Sequence, residues 1–348
     1  MAQKIRVLIV DDSIFFRTAM SRSLTNCPDI QVIDTARDAA EAEKIIVESH
    51  PDVITLDIEM PGMRGIDFMK KIMPVHPIRV VLVSSLSVNV FEVLEAGAID
   101  FVKKPDMRDP AAFGNFSREL QSKIRIAAKA NLCKQGGPCP KEVAAAPVRL
   151  TARLSASAGD LVVAIGASTG GTEAILEVIR DLPVNFFPIV ITQHMPPVFT
   201  RMFAERLNKT CQIEVYEAEN GNRLRPGVAY IAPGDRQMTL HKDSGGYFVR
   251  CVEGPKISGH CPSVDVLFES VSKAAGAKAI GVILTGMGRD GAKGLLSMHE
   301  NGAFTIGQDQ NSCVVYGMPM EAFHLGAVDK QAPLKEIASI LMNKAFVK

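Results

Sequence analysis

The feature that most restricts how this chain can fold is an alternation. Short β-branched apolar runs end in a polar residue, and each is followed by a segment of helical periodicity. Within the first 125 residues the runs are IRVLIV (5–10), IQVIDTA (30–36), DVITLDI (52–58), RVVLVSS (79–85) and IDFVKKP (99–105). Helical patterns follow from Ser13 and from Ala39, and near 65–73, 88–96 and 111–128. Strands that read as continuous apolar runs are covered on both faces, and strands alternating with helices make a doubly wound parallel sheet. The pattern lapses between about 130 and 158, where Gly, Pro, Ala and Ser dominate, as a linker does. It restarts with LVVAIGAS (161–168), a helix from Thr172 to Arg180, FPIVITQH (187–194) and a helix near 198–208. GVAYIAP (227–233), AIGVILTGMG (279–288), a helix from Ala292 and AFTIGQD (303–309) complete the series, with β-hairpin insertions expected around 213–252. The expected organisation is α/β throughout: a five-stranded parallel domain over 1–125, a linker over 126–158, and a doubly wound α/β domain with β-hairpin insertions over 159–348.

The balance of 39 basic against 38 acidic residues, net +1, argues against a surface that neutralises nucleic-acid phosphates or anionic lipid. Seven cysteines without a CxxC pair suit reduced thiols in the cytoplasm, and Cys133 and Cys139, the one close pair, lack histidines at zinc spacing. The N-terminal apolar run meets two aspartates too soon to be a signal peptide, and no window approaches the roughly 18 apolar residues a spanning helix needs. The expectation is a cytoplasmic monomer with no membrane insertion of its own.

In an open parallel sheet ligands gather at the carboxyl ends of the strands. In the first domain Asp11 and Asp12 close the first strand, Asp57 the third, Ser84 and Ser85 the fourth, and Lys104 the fifth. Any one of these reads equally well as a cap or a loop residue. Together they make a cleft in which three carboxylates repel unless a divalent cation neutralises them, and hard oxygen donors suit Mg²⁺. Asp57 is then the candidate nucleophile toward a phosphoryl group and Lys104 its counter-charge.

VDDS (10–13), LDIEMPGMRG (56–65), VSS (83–85) and FVKKP (101–105) resemble the motifs of bacterial two-component receiver domains over residues 4–125. The resemblance implies a flavodoxin-like fold, Mg²⁺ at Asp11, Asp12 and Asp57, phosphorylation of Asp57 by a histidine kinase, and switching through Ser84 and Phe101. Serine and phenylalanine stand at the switch positions where threonine and tyrosine are frequent.

In the second domain VVAIGASTGGTEAI places Ser168 between an apolar strand and a helix, among glycines. A hydroxyl there faces N–H groups and a dipole that favour developing negative charge, which also suits a phosphate, although neither GxGxxG nor GxxxxGK[ST] is present. His194 ends the next strand, and Asp290 lies in the glycine-rich turn after AIGVILTGMG. A serine nucleophile needs a base and the base an orienting carboxylate, so Ser168, His194 and Asp290 form the candidate triad, with His260 in SGHCPSVD the competing base. The order Ser…His…Asp differs from the Ser…Asp…His of the nucleophile-elbow hydrolases and sets the chain apart from that fold. Backbone N–H groups between Thr285 and Gly288 are candidates for an oxyanion hole.

GASTGG (166–171), QHMPPVFTRMFAERL (193–207), YIAPGD (230–235), GHCPSVDVLF (259–268), TGMGRDGAKG (285–294) and VVYGMP (314–319) are similar to the chemotaxis protein-glutamate methylesterases of the CheB type. The resemblance covers nearly the whole chain. It implies Ser168 as nucleophile, His194 as base, Asp290 as its orienter, the Met287 backbone N–H in the oxyanion hole, and His260 lining the site. It also implies hydrolysis of γ-glutamyl methyl esters on methyl-accepting chemoreceptors, deamidation of receptor glutamines, a chemotaxis histidine kinase as phosphodonor, no cofactor in the catalytic domain, and an unphosphorylated receiver that obstructs the cleft. Arg236 and Gln237 depart from the family, where a histidine is common after YIAPGD. The rival readings are a response regulator whose second domain binds DNA, disfavoured by the lack of a basic stripe, and a nucleotide-binding domain built on GASTGG.

Overall fold

The computed structural model describes residues 4–85, 90–131 and 161–346. The chain forms two compact units, Met1–Val143 and Ala144–Lys348. In the first, β1 (Ile5–Val10), β2 (Ile30–Ala36), β3 (Val53–Asp57), β4 (Arg79–Ser84) and β5 (Asp100–Lys103) alternate with α1 (Ile14–Thr25), α2 (Ala39–Ser49), α3 (Gly65–Ile72), α4 (Val90–Glu95) and α5 (Pro110–Lys129). The strands pair in parallel in the order β2-β1-β3-β4-β5. Polar residues just past β1 and β2 start the next helix. Ser13 caps α1 by accepting from Phe16 N–H, and its own N–H donates to Asp11 Oδ1 at 2.9 Å. Asp38 caps α2 by accepting from Glu41 N–H at 2.9 Å. Helix α5 continues to Lys129, into the start of the segment 126–158, whose remainder from 132 onward lies outside the described residues, as do Cys133, Cys139 and residues 86–89.

The second unit opens with β6 (Val162–Ala167), α6 (Gly171–Ile179), β7 (Ile189–Gln193), α7 (Phe199–Thr210), β8 (Glu214–Glu217) and β9 (Val228–Ile231). The hairpin strands β10 (Gln237–Asp243) and β11 (Gly246–Val252) come next, then α8 (Val264–Ala275), β12 (Ala279–Ile283) and α9 (Ala292–Glu300). β13 (Phe304–Gln308), α10 (Met318–His324), β14 (Lys330–Ala332) and α11 (Leu334–Phe346) close the chain. Seven strands form a parallel sheet in the order β14-β13-β12-β6-β7-β9-β8. The antiparallel insertion is narrower than the expected 213–252: β8 pairs with β9 in parallel inside the main sheet, and only β10 and β11 form a hairpin. The apolar residues of β8 and β9, among them Val215, Val228 and Ala229, are buried there as the strands of a covered sheet are.

Helix α8 lies directly on β6, because Gly166 has no side chain to hold it off. A Cβ there would stand 2.1 Å from Val264 Cγ1 and 3.1 Å from Phe268 Cζ, two side chains with no solvent exposure. The strand that delivers Ser168 is thereby fixed against the helix that will receive Asp290. Overpacking of this kind costs about 1–3 kcal/mol. Gly166→Ala is expected to lower the unfolding free energy of the catalytic unit by that amount, read in urea unfolding as a lower denaturant midpoint at an unchanged m-value.

Candidate active site

In the first unit β1 is flanked by β2 on one side and β3 on the other, so the chain leaves the sheet in opposite directions at the ends of β1 and β3. Asp11, fully buried, and Asp57, 4% exposed, face each other across that crevice, with Asp12 exposed at its rim. One carboxylate oxygen from each of the three lies within 4.8 Å of the others, which fits a hard divalent cation. Lys104 Nζ reaches both buried partners, at 2.6 Å from Asp57 Oδ2 and 2.7 Å from Asp11 Oδ2. Burial, chiefly, and the Asp11 charge push the Asp57 carboxyl above the usual range despite Lys104. Burial opposes the Lys104 charge, but the two aspartates outweigh it and raise the ammonium's pKa. Ser84 is buried at the end of β4, its carbonyl accepting from Lys104 N–H at 2.7 Å. Phe101 is buried in β5, and Lys123 Nζ stands 5.1 Å from its ring centroid.

The second unit repeats the geometry on a larger scale. Strand β6 lies between β7 and β12, and the chain winds outward from it in both directions. Ser168 follows β6, His194 follows β7, and the turn after β12 carries Asp290. His194 Nδ1 lies 3.1 Å from Ser168 Oγ, and His194 Nε2 lies 2.7 Å from Asp290 Oδ2. In the tautomer consistent with both bonds, Nε2–H donates to the carboxylate and bare Nδ1 accepts from the serine hydroxyl. The imidazole is 7% exposed and the carboxylate 1%. His260 enters neither bond; its ring stacks on that of His194, with centroids 3.6 Å apart and planes 6° from parallel.

Asp290 is buried at the N-terminus of α8. Its Oδ1 accepts from Ser263 Oγ at 2.8 Å and Asp265 N–H at 3.2 Å, and its Oδ2 from Val264 N–H at 2.8 Å in addition to His194. Burial opposes ionisation, but the His194 hydrogen bond and charge, then the Val264 N–H and Ser263 hydroxyl, outweigh it and hold this carboxyl at about 2. Ser263 is also the N-cap of α8. Asp265, 6% exposed, accepts from Gly294 N–H at 2.8 Å and so ties the first turn of α9 to that of α8. Burial above all, and the Asp290 charge, push the Asp265 carboxyl up to about 6 against the pull of Gly294. Both residues stand in the motif GHCPSVDVLF, where an N-cap serine followed by an acid in the first turn was the available signal.

At the turn after β12, Gly286 lets the chain pass close to Ser168: a Cβ there would meet Ser168 Cβ at 2.7 Å. The Gly286 N–H is taken by Val315 O at 3.1 Å, while Met287 N–H, the next along, meets no protein acceptor among the described residues. Gln237, one of the two departures from the family, has a structural place. It is buried, donating to Pro255 O at 2.9 Å and accepting from Ser263 N–H at 2.9 Å, so it supports the loop that carries His260 and Ser263.

A receiver-like acidic crevice and a serine-histidine-aspartate constellation, each on its own parallel sheet, define a two-domain response-regulator hydrolase. The response regulator receiver domain matches residues 7–110 and the CheB methylesterase domain residues 163–341. The protein-glutamate methylesterase/protein-glutamine glutaminase 2 of Syntrophomonas wolfei is 50% identical over 339 residues, covering 97% of each chain. The protein-glutamate methylesterase/protein-glutamine glutaminase of Salmonella typhimurium is 48% identical over 345 residues, covering 98% of this chain and 97% of that one. The crystal structure of the Thermotoga maritima CheB methylesterase catalytic domain is 40% identical, with a TM-score of 0.52, covering 53% of this chain and 98% of that one. The chain belongs to the CheB methylesterase family. It is an enzyme with a receiver domain ahead of the catalytic one, and among its described residues no helix is long and apolar enough to cross a membrane.

The buried Asp265–Asp290 pair gives stability a pH signature. Asp265 is raised in the folded protein from the usual carboxylate value to about 6, so its contribution is complete below about pH 4 and is lost as pH rises through 6. Asp290 is depressed, so its contribution is present above about pH 4 and lost only toward pH 2. Asp265→Asn keeps the acceptor for Gly294 and removes the charge. The stability of this variant relative to wild type is expected to improve by on the order of 1–2 kcal/mol between pH 4 and pH 7, measured as urea midpoints across that range.

Proposed function

We propose that this protein is a phosphorylation-activated hydrolase that demethylates glutamate γ-methyl esters on methyl-accepting chemoreceptors and deamidates particular receptor glutamines, acting in chemotactic adaptation. The observation that supports it most is the hydrogen-bonded chain from Ser168 through His194 to Asp290, at 3.1 and 2.7 Å. In this reading Ser168 Oγ attacks the ester carbonyl while His194 Nδ1 takes its proton, and Asp290 stabilises the imidazolium through Nε2–H. The Met287 N–H receives the oxyanion of the tetrahedral intermediate. Collapse expels methoxide, which takes the proton from His194 and leaves as methanol. Water, deprotonated by His194, then attacks the acyl-serine, and a free glutamate is released with Ser168 reprotonated. A glutamine follows the same course with ammonia as the leaving group. No cofactor is needed in these steps.

Residues 1–125 form the receiver and 159–348 the catalytic domain, joined by the linker 126–158. Asp57 accepts a phosphoryl group from the chemotaxis histidine kinase. Asp11, Asp12 and Asp57 would hold Mg²⁺, which offsets the carboxylate charge and that of the incoming phosphoryl oxygens. Lys104 pairs with the phosphoryl group, and Ser84 and Phe101 carry the switch. The protein works in the cytoplasm as a monomer, with receptors and kinase as partners and no nucleic acid.

The test is methanol release from methylated receptor membranes, with and without a small-molecule phosphodonor plus Mg²⁺. Wild type is expected to release methanol, faster with phosphodonor; Asp57→Asn to release it without that increase; and Asp290→Asn to lose about 10³–10⁴ in kcat. Ser168→Ala is expected to be inactive under both conditions. A wild type that releases none, or a Ser168→Ala variant as active as wild type, would sink the esterase reading.

A further inference from the structure

The candidate triad explains which side chains meet, but not what fixes the distance between the strand ends that carry them. Gln193 is the last residue of β7 and pairs in register with Ala167 of β6, so it stands between the nucleophile and the base. Its side chain is buried, with the residue 4% exposed. Its amide nitrogen Nε2 donates to Ser168 O at 2.9 Å and to His194 O at 3.3 Å. One –NH₂ group thus spends both hydrogens on the main chains of the two residues that exchange a proton. The remaining ties are few. Ser168 N–H donates to Thr285 O at 3.0 Å, Gly171 N–H to Ser168 O at 2.7 Å, and His194 N–H to Ala167 O at 3.2 Å.

We propose that Gln193 is a positioning residue for the hydrolysis, fixing Ser168 Oγ against His194 Nδ1 by holding both backbone carbonyls on a single side-chain amide. It touches neither substrate nor the reacting atoms. Two further facts bear on the chemistry required at this position. The amide oxygen Oε1 is buried without a hydrogen-bond partner among the described residues, so what the site uses is the donor end. The amide fits because Gly171 is bare: a Cβ there would stand 2.1 Å from Gln193 Oε1 and 2.7 Å from Ala167 Cβ. Turning the amide over would set an oxygen against two carbonyl oxygens. The position therefore demands an N–H donor of this length, and displacements of about 0.5 Å in such a constellation are enough to cost activity.

The inference rests on the triad reading, and the experiment separates the two. In the full-length protein, the rate at which a fluorophosphonate probe labels Ser168 and kcat for receptor methyl ester would be measured from pH 6 to pH 8.5 for wild type, Gln193→Met and Gln193→Glu. Thermal midpoints would be taken at each pH. Methionine fills the space and offers no donor. Glutamate has the shape of glutamine; ionised it opposes both carbonyls, whereas protonated it offers one O–H, and burial raises the pH at which that proton is held. Both variants are expected to lose about 10–100-fold in labelling rate and kcat at pH 8, with KM within about twofold of wild type. The glutamate variant alone is expected to regain about fivefold or more, relative to wild type, as pH falls to 6. Unlabelled wild type would instead overturn the triad. Labelled wild type with Gln193→Met within about threefold of it, a change carried by KM, no acid recovery in the glutamate variant, or losses that follow the unfolded fraction would overturn the role of Gln193.

Discussion

Both units depend on one constraint: in a parallel sheet, the two strands from which the chain departs in opposite directions leave a crevice at their carboxyl ends that no helix fills. In the first unit those strands are β1 and β3, and the crevice collects Asp11, Asp12 and Asp57. In the second they are β6 and β12, and it collects Ser168 and Asp290, with His194 from the neighbouring β7. The apolar interior of each strand supplies the rigidity, and the first residue beyond it supplies the chemistry. This is why the candidate site residues stand at or beyond strand ends while the middles of the central strands β1, β4, β6 and β12 are almost wholly apolar.

That rule also decides what the sequence could disclose. Residues defined by where a strand stops, namely Asp57, Lys104, Ser168 and His194, were legible, because apolar runs have sharp ends. The order of domains, the five receiver strands and most of the catalytic strands were legible for the same reason. The support of the site was not. Ser263, Asp265 and Gln193 act through a helix N-terminus or a neighbouring strand's main chain, and their partners lie 25–27 positions away in the sequence. The extent of the hairpin was not legible either, because β8 and β9 are only four residues each, too short for a period of two to distinguish a parallel edge from a hairpin. His260 illustrates the same limit: from its residues alone a histidine in a polar loop competes as a base, the family resemblance implies a lining role, and the structure stacks its ring on that of His194.

The energetic burden of the catalytic unit falls on Asp290. A buried carboxylate costs several kcal/mol unless donors replace its water. Here the N-cap hydroxyl and two N–H groups of α8 do so, each bond to a charged group contributing about 1.5–3 kcal/mol. The arrangement works only if α8 is pressed close to β6, which the missing side chain of Gly166 permits. Packing at a glycine thus sets the electrostatics of a carboxylate that in turn orients an imidazole.

The two crevices solve the same problem with opposite results. Burial, chiefly, and the neighbouring Asp11 charge leave the Asp57 carboxyl above the normal range, because the one ammonium it shares with Asp11 does not offset them. Asp290 has a helix terminus and an imidazole to itself and is driven well below the range. A carboxylate short of counter-charge gains from a metal ion and from anything the ion brings with it; one already saturated with donors gains nothing and stays fixed. The physical difference between a carboxylate suited to changing its chemical state and one suited to holding another residue still is therefore the number of donors the fold commits to it.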